Sequence, residues 1–327
     1  MSLDPEGPHD NLSRLRAPRQ QVHDFCMGHR AYPWLRIPDL QSERPSVRLR
    51  INLVGVEGIR VPALVSVDDG EVLQDLKISA FLTLPAERRG IHASRIYEAV
   101  LDVTRGRDGK RTLDQMATEL AVAVLERDQD CSRAEVLISA KLFEPTTSPV
   151  TGRPTYLTSL VSVRSVSVRD DSVRPLMKTV AVRVTGVTAC PCAKSVVQAL
   201  TGEEGRDYTV THMQRTLALL RLTLRPEEHV RLGTLTRILR QSMSSQVYPG
   251  LKRLDEAEVV MRTVKRPVFI EDAVREAVLM VAEEFGHLHP GGRLTVRMRS
   301  VESLHDYDML AVYSGTLSEA RSLLQHG

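Results

Sequence analysis

Aromatic side chains are scarce in this 327-residue chain, at 4 % of all residues, with a single tryptophan. The core must therefore be built mainly from aliphatic side chains, and apolar residues together make up 42 % of the sequence. A strong charge of one sign is also lacking, because the formal net charge is only +3. Such a small net charge does not indicate a nucleic-acid-binding protein, in which a clustered basic surface is expected.

Cysteine and long hydrophobic runs are equally sparse. Four cysteines in 327 residues are too few for a disulfide framework, so we expect a reducing compartment in which thiols serve a metal or chemistry. No apolar run approaches the roughly 18 residues that a membrane-spanning helix needs. The segment MSLDPEGPHDNLSRL has early acidic residues and no apolar stretch, which argues against a secretory signal. We therefore expect a cytoplasmic protein without a membrane partner.

Alternation of apolar and polar residues predicts strands in both halves of the chain. Val47, Leu49, Ile51 and Leu53 alternate with polar residues, which predicts a half-buried strand. In the second half, Leu220, Leu222 and Leu224 alternate with polar residues that face away from the core. Further strands are predicted at residues 76–85, 134–145, 157–170, 178–187, 292–303 and 308–315.

Apolar residues three and four apart predict helices between these strands. The strongest helix prediction covers residues 271–287, because Val274, Val278, Val281 and Phe285 form one stripe. Glu271 and Asp272 lie at its start, where a helix favours negative charge. The other predicted helices cover residues 93–103, 112–127 and 232–243.

Each half therefore has the order of two strands, two helices and two strands. Strands in consecutive pairs, without strand–helix–strand alternation, predict an α+β fold with antiparallel sheets. The repetition at half the chain length suggests two modules of one fold. We expect a polar N-terminal arm over residues 1–44, a first module over residues 45–175 and a second module over residues 176–327, which carries most of the candidate site.

The segment GVTACPCAKSVVQAL places two cysteines, Cys190 and Cys192, on either side of a proline between a strand and a helix-like run. The pair alone fits two small buried residues as well as it fits a metal site. His212 begins the strand that contains Leu220. A thiolate and an imidazole at neighbouring strand ends can converge on one ion.

Other polar residues are ambiguous when each is taken alone. In YPGLKRLDEAEVV, Lys252, Arg253 and Glu256 precede a short apolar run, and the segment fits an acidic metal ligand or a solvated charged turn. Glu302 and His305 lie between two strands and fit either a catalytic pair or an ordinary loop. His92 and Arg95, at a predicted helix start, fit a cap or the surface.

Taken together, the ordered motifs TACPCAK, THMQR, VYPGLKRLDE, VFIEDAVRE and ESLH, with GIHASR in the first half, resemble one family. This family is the prokaryotic type IB GTP cyclohydrolases, including their archaeal relatives. The resemblance covers residues 53–315. It implies a bimodular tunnelling fold (T-fold) with two ββααββ modules, a homotetramer built as a dimer of dimers, and active sites where modules or subunits meet.

The resemblance also implies roles for individual residues. Cys190, His212 and Glu256 match the ligands of one divalent metal ion, Zn²⁺, Mn²⁺ or Fe²⁺, and the choice of Cys190 over Cys192 depends on the resemblance alone. Glu271 matches the residue that anchors guanine, and Glu302 and His305 match a catalytic proton-transfer pair, beside the catalytic Cys190. The residues expected to bind the rest of the GTP substrate are His92, Arg95, Lys252 and Arg253.

The implied reaction converts GTP to 7,8-dihydroneopterin triphosphate with release of formate, the first step of folate and pterin biosynthesis. Ala93 and Met213 are more typical of the archaeal-like branch. That branch implies a 2′,3′-cyclic phosphate as the alternative product and Fe²⁺ as the alternative metal. A queuosine-pathway nitrile reductase of the same fold remains a second reading, in which cysteine acts as a covalent nucleophile. A non-catalytic metal-binding or scaffold protein is a third.

Overall fold

The computed structural model describes residues 38–67, 70–105 and 111–325. Most of the predicted N-terminal arm, residues 1–44, lies outside these ranges. Within the described residues the strands are β1 (Ile51–Val67), β2 (Gly70–Leu84), β3 (Arg133–Thr147), β4 (Pro154–Arg169), β5 (Val173–Ala189), β6 (Met213–Leu224), β7 (Ser245–Gln246), β8 (Arg293–Val301) and β9 (Met309–Thr316). The helices are α1 (Ala93–Thr104), α2 (Leu113–Glu126), α3 (Pro191–Thr201), α4 (Leu232–Ser242), α5 (Arg253–Lys265), α6 (Ile270–Phe285) and α7 (Leu317–Ser322).

The described strands form one antiparallel sheet in the order β1-β2-β3-β4-β5-β6-β8-β9, and the short β7 pairs with β5. The first half follows the predicted order of two strands, two helices and two strands. The second half keeps this plan but adds α3 between β5 and β6, and places α4, β7, α5 and α6 before β8. The predicted α+β class with an antiparallel sheet is confirmed, and the module boundary at residue 175 stays a prediction.

Helices cover one face of this sheet and bury its aliphatic side chains. Helix α2 packs on β3, β4 and β5, and α6 packs on β8 and β9. The predicted inward positions of β6 are buried, with exposed fractions of 0 % for Leu220 and Leu222 and 3 % for Leu224. The predicted stripe of α6 is buried as well, from Val274 to Phe285. Alternation and helical period therefore predicted the core correctly, because both patterns depend on burial of one face.

Strand β1 differs from its prediction at its start. Val47, Leu49, Ile51 and Leu53 are exposed, and the strand begins only at Ile51. The pairing of β1 with β2 ends at Ile51 opposite Leu84, so the residues before it have no neighbouring strand. The buried part of β1 is its second half, around Val65.

Two glycines in β1 allow it to lie close to β2. Gly58 has a φ of +77° beside a register shift between Val56 and Ile59, a backbone conformation that glycine adopts at little cost. A Cβ atom at Gly55 would lie 2.0 Å from the carbonyl oxygen of Ala80 in β2. Gly55 is therefore required for close approach of the two backbones.

Buried ionic contacts join the two halves of the chain. Glu144 of β3 accepts two hydrogen bonds from the guanidinium of Arg240 in α4, at 2.6 and 2.9 Å. Burial would raise the pKa of Glu144, but the hydrogen bonds and charge of Arg240 outweigh it and lower the pKa overall. No helix within the described ranges is long and apolar enough to cross a membrane.

Candidate active site

The candidate site begins where β5 ends and α3 starts. Cys190 is the N-cap of α3, and its sulfur accepts a hydrogen bond from the backbone N–H of Ala193 at 3.4 Å. Pro191 occupies the first helical turn, where its fixed φ suits a helix and its missing N–H costs nothing. Gly202, at a φ of +66°, caps the other end of α3. Cys190 is thus placed at a strand-to-helix junction, whereas Cys192 is exposed on the helix.

His212 lies directly beside Cys190. The backbone N–H of Cys190 donates to the carbonyl oxygen of His212 at 3.1 Å, and the hydroxyl of Thr211 donates to the carbonyl oxygen of Cys190 at 2.6 Å. These contacts continue the antiparallel pairing of β5 and β6, in which Ala189 is opposite Met213. The expected location of thiol and imidazole at neighbouring strand ends is therefore observed. Their role as metal ligands stays a prediction.

The loop between β8 and β9 reaches the same place. The hydroxyl of Ser303 lies 3.4 Å from Nδ1 of His212. Glu302 accepts a hydrogen bond from the Ser300 hydroxyl at 2.8 Å, and the ring of His305 stacks on Tyr307 with 4.8 Å between centroids. Glu302 and His305 thus flank a residue that contacts His212, although the described residues show no hydrogen bond between these two.

The start of α6 is fixed next to Cys190 as well. The backbone N–H of Val268 donates to the carbonyl oxygen of Ala189 at 3.1 Å, two residues before α6 begins. Glu271, in the first turn of α6, is exposed. It borders a cavity of about 290 Å³ that is otherwise lined by Val274, Arg275, Val278, Ala311, Val312, Tyr313 and Leu323. A carboxylate at the rim of a mainly apolar cavity can bind a flat polar ring.

The segment that contains Glu256 forms helix α5, not a turn or loop. Glu256 is exposed in its first turn, together with Lys252 and Arg253 at its start. The neighbouring Asp255 is fully buried. Burial would raise the pKa of Asp255, but hydrogen bonds, from the Thr151 backbone above all, outweigh burial and hold the pKa well below its usual range.

The arrangement of possible metal-binding side chains is known for the described residues only. Within the described residues, no set of three or more His, Cys, Asp or Glu side chains has an arrangement that could hold a metal ion. Two donors of the predicted set, the Cys190 thiol and the His212 imidazole, lie on adjoining residues of paired strands. Sulfur and nitrogen donors suit the predicted metals. The set of Cys190, His212 and Glu256 therefore stays a prediction.

The first-half candidates lie elsewhere in the chain. His92 is the N-cap residue of α1, and its Nε2 lies 3.6 Å from a carboxylate oxygen of Asp39. Arg95 donates to the carbonyl oxygen of Arg127 at 3.5 Å. Among the contacts of the described residues, none links His92 or Arg95 to the group around Cys190. Their predicted substrate role stays untested.

Sequence reasoning missed three residues that organise this site. Thr211 and Ser303 contact Cys190 and His212 as described above. Lys194, with 9 % of its surface exposed, donates from Nζ to the carbonyl oxygens of Asp207 at 2.7 Å and Val264 at 2.9 Å. Its spacing could have identified Lys194, because it follows Cys190 by one helical turn in the motif TACPCAK.

The fold belongs to the tunnelling-fold class, which solved structures of distant sequence share. The uricase from Arthrobacter globiformis has a TM-score of 0.50 at 10 % identity and covers 81 % of this chain and 92 % of its own. The uricase from Bacillus fastidious has a TM-score of 0.52 at 8 % identity, covering 84 % of this chain and 96 % of its own. At such low identity the likeness concerns the fold alone.

Comparison of sequences shows the family to which this chain belongs. Residues 37–311 match the model of the type I GTP cyclohydrolase folE2 family, and this chain belongs to that family. The GTP cyclohydrolase MptA of Methanospirillum hungatei JF-1 is 30 % identical over 303 residues, covering 86 % of this chain and 92 % of that protein. The GTP cyclohydrolase MptA of Methanothermobacter thermautotrophicus is 29 % identical over 301 residues, covering 87 % of this chain and 95 % of that protein.

Proposed function

We propose that this protein is a GTP cyclohydrolase that opens the imidazole ring of GTP at C8, releases formate and closes a dihydropterin ring. The family match over residues 37–311 carries this proposal. It is supported by the meeting of Cys190, His212 and the β8–β9 loop at one end of the sheet.

The proposed metal site consists of Cys190, His212 and Glu256. Sulfur, nitrogen and oxygen donors leave a fourth position open, as is typical of catalytic sites. When bound, a divalent ion lowers the pKa of water toward neutrality and so supplies the nucleophile that C8 requires. Cys190 and His212 are fixed to each other through their backbones, and Glu256 is supplied by a separate element, α5.

Glu271 is proposed to select guanine. A carboxylate can accept two hydrogen bonds, one from the ring N1–H and one from the exocyclic amine, a pair of donors that adenine lacks. Glu271 is exposed at the rim of the cavity beside α6, where a purine ring can contact Val274 and Tyr313. Adenine would leave the carboxylate without this pair of donors, which disfavours ATP.

Glu302 and His305 are proposed to move protons during ring opening and closure. Histidine titrates near neutral pH and suits general acid–base work. Both residues lie in the loop that contacts His212 through Ser303, which supports a role for His305 on a substrate bound next to Cys190. Glu302, three residues before His305, is proposed to orient its imidazole.

The phosphates of GTP require several cations. Lys252 and Arg253 are exposed at the start of α5, whereas His92 and Arg95 lie in the first half. We propose that the first-half residues meet the Cys190 group across a subunit boundary in a homotetramer, a dimer of dimers. No nucleic acid or membrane takes part in this proposal.

The product is proposed to be 7,8-dihydroneopterin 2′,3′-cyclic phosphate. Ala93 and Met213, with TACPCA, lean toward the archaeal-like branch, and the similar proteins named above are of the MptA type. Anaerobic incubation with GTP and Fe²⁺, Mn²⁺ or Zn²⁺, followed by mass spectrometry, tests this. We expect formate and the cyclic phosphate, with the highest rate in Fe²⁺. The triphosphate as the final product would contradict the assignment of the branch.

Chelation separates this function from a nitrile reductase. Removal of metal is expected to abolish formate release, because the nucleophile depends on the ion. A reductase that forms a thioimide on cysteine would stay active after chelation. Retention of activity with GTP in metal-free protein would contradict the proposal.

The role of Glu271 is tested by Glu271→Ala, with Asp272→Ala as matched control. Asp272 is the next residue of α6 and is also exposed, where it pairs with Arg275 at 2.5 Å. We expect Glu271→Ala to lose GTP binding and keep metal, and Asp272→Ala to keep both. Loss of metal with retained guanine selectivity in Glu271→Ala would reverse the assigned roles.

A further inference from the structure

Helix α5, which carries the proposed ligand Glu256, is held at its first turn by a buried carboxylate. Asp255 is fully buried, and one of its oxygens accepts the backbone N–H groups of Val150 and Thr151 at 2.9 and 2.8 Å. The other oxygen accepts the Thr151 hydroxyl at 2.7 Å and the backbone N–H of Lys252 at 2.9 Å. Because Val150 and Thr151 lie between β3 and β4, these bonds attach the start of α5 to the first half of the chain.

The last turn of α5 is held by a buried cation. Lys194 donates to the carbonyl oxygen of Val264 at 2.9 Å, one of the last carbonyl groups of α5, which lack partners inside a helix. Its Nζ also donates to the carbonyl oxygen of Asp207 at 2.7 Å, in the loop that leads to His212. Lys194 itself is in α3, and its backbone N–H donates to the carbonyl oxygen of Cys190 at 3.3 Å.

These two residues matter because apolar packing does little to fix α5. The residues of α5 that are buried are Asp255, Thr263 and Val264, and only the last has an aliphatic side chain. A buried charge is costly unless its hydrogen bonds are well formed. The partners of Asp255 and Lys194 are backbone groups and one hydroxyl, so their geometry constrains the position of the helix directly.

We infer that Asp255 and Lys194 are positioning residues that clamp α5 at both ends, so that Glu256 is presented to Cys190 and His212. The inference rests on the proposed function. The two anchored turns are nine residues, or about 13 Å, apart along the helix. Glu256 adjoins Asp255, so the hydrogen bonds of Asp255 fix the backbone that carries the exposed Glu256 side chain.

The test measures the Zn²⁺ affinity of the full chain, in an assay in which a chromogenic chelator competes with the protein for Zn²⁺. Hydrogen exchange of the backbone amides of α5 is measured alongside. Asp255→Asn removes the charge and places an amide N–H against donors, and Lys194→Met removes both carbonyl contacts. We expect a loss of metal affinity of roughly 10- to 100-fold in each, as is typical when groups behind metal ligands are removed. We also expect faster exchange in α5. Lys194→Arg, which can donate to both carbonyls, is expected to restore most of the affinity.

Lys265→Met is the matched control. Lys265 pairs with the side chain of Asp207 at 3.1 Å but is 58 % exposed, so we expect parental metal affinity. Thr151→Val removes a single hydrogen bond to Asp255 and covers the case in which Asp255→Asn does not fold. A smaller loss of affinity is expected in Thr151→Val.

Glu256→Gln separates the clamp from the proposed function. If Glu256→Gln binds metal as tightly as the parent, the proposed ligand set is wrong. If Glu256→Gln loses metal while folded Lys194→Met and Thr151→Val keep parental affinity, the clamp is refuted and the ligand set stands. The clamp further predicts that Thr151→Val adds no further loss in a Glu256→Gln background, and an additive loss would overturn it.

Discussion

The cluster of the buried ion pair Lys178 and Asp114 with the exposed His229 gives the most quantitative prediction for the fold. Lys178 of β5 is 1 % exposed, and its Nζ lies 2.6 Å from Oδ2 of Asp114 in α2, whose side chain is 8 % exposed. Nδ1 of His229 lies 2.8 Å from the same oxygen and 3.3 Å from Nζ of Lys178. The cluster therefore joins α2 in the first half to β5 and to the segment just before α4 in the second half.

Asp114→Asn keeps the shape of the side chain but leaves Lys178 buried without its counter-charge. Removing one partner of a buried ion pair typically costs 3–5 kcal/mol. Because His229 remains 3.3 Å from Nζ of Lys178, we expect the lower end, roughly 3 kcal/mol. With an unfolding entropy of about 2.1 cal/mol/K per residue, a chain of 327 residues loses about 1.5 °C per kcal/mol, so the melting temperature should fall by roughly 4–5 °C.

The assay is thermal and urea unfolding of the parent, Asp114→Asn, Lys178→Met and the double variant at pH 7. The double variant is expected to be more stable than Asp114→Asn alone, because no unpaired charge is then buried. Asp102→Asn is the control, since Asp102 pairs with Arg127 at 2.6 Å while 65 % exposed. Such a surface pair contributes at most about 1 kcal/mol. A cost below about 1 kcal/mol for Asp114→Asn would refute the reasoning.

The same cluster sets a pH dependence. Burial would raise the pKa of Asp114, but the charge and hydrogen bond of Lys178, with those of Thr112 and His229, outweigh it and lower the pKa overall. A carboxylate with a lowered pKa in the folded state stabilises it above the pKa of the unfolded chain, about 3.9. This stabilisation is lost as the pH falls through the folded pKa. The difference between parent and Asp114→Asn should therefore shrink on acidification below about pH 4, and a constant difference would contradict the assignment.

Two further predictions concern packing and the contact between the halves. Gly55→Ala places a Cβ atom 2.0 Å from the carbonyl oxygen of Ala80, so we expect about 1–3 kcal/mol of destabilisation in urea unfolding, and parental stability would show that β1 can shift freely. Glu144→Gln leaves Arg240, whose side chain is 8 % exposed, without its anion; we expect a loss of about 2 kcal/mol at pH 7. The loss should diminish at low pH because the pKa of Glu144 is lowered in the folded state, and a loss that persists under acid would contradict this.

Patterns that depend on burying one face were predictable from sequence. Leu220 and Leu222 in β6 and Val278 in α6 are buried as their spacing predicted. Val47 and Leu49 have the same alternation but are exposed, because pairing with β2 ends at Ile51. Alternation identifies an amphipathic strand, whereas the sheet determines how far the partner strand extends.

Helix α5 was not predicted as a helix because its stability does not come from an apolar stripe. Its buried carboxylate, Asp255, is bound by Val150 and Thr151, which are distant in sequence. Lys178 shows the same limit, although a signal existed: it is in phase with the inward-facing Val180 and Val182 of β5, which indicates a buried charge. Its partner Asp114 lies 64 residues away, and no local pattern identifies such a pair.

The candidate site was predictable in its second-half motifs but not in its assembly. The strand ends that carry Cys190 and His212 are neighbours, as their order suggested. The contact of Ser303 with His212 depends on how the β8–β9 loop folds back. The place of Glu256 depends on the position of α5, whose first turn is held by contacts of Asp255 with Val150 and Thr151, and local sequence does not determine such contacts.

The most direct test of the proposed active site compares the two neighbouring cysteines. Cys190 is the half-buried N-cap residue of α3 beside His212, and Cys192 is exposed two residues later. Metal content and formate release from GTP are measured for Cys190→Ser and Cys192→Ser under anaerobic conditions. We predict that Cys190→Ser loses metal and formate release together, while Cys192→Ser keeps both. Parental metal content and formate release in Cys190→Ser would contradict the account.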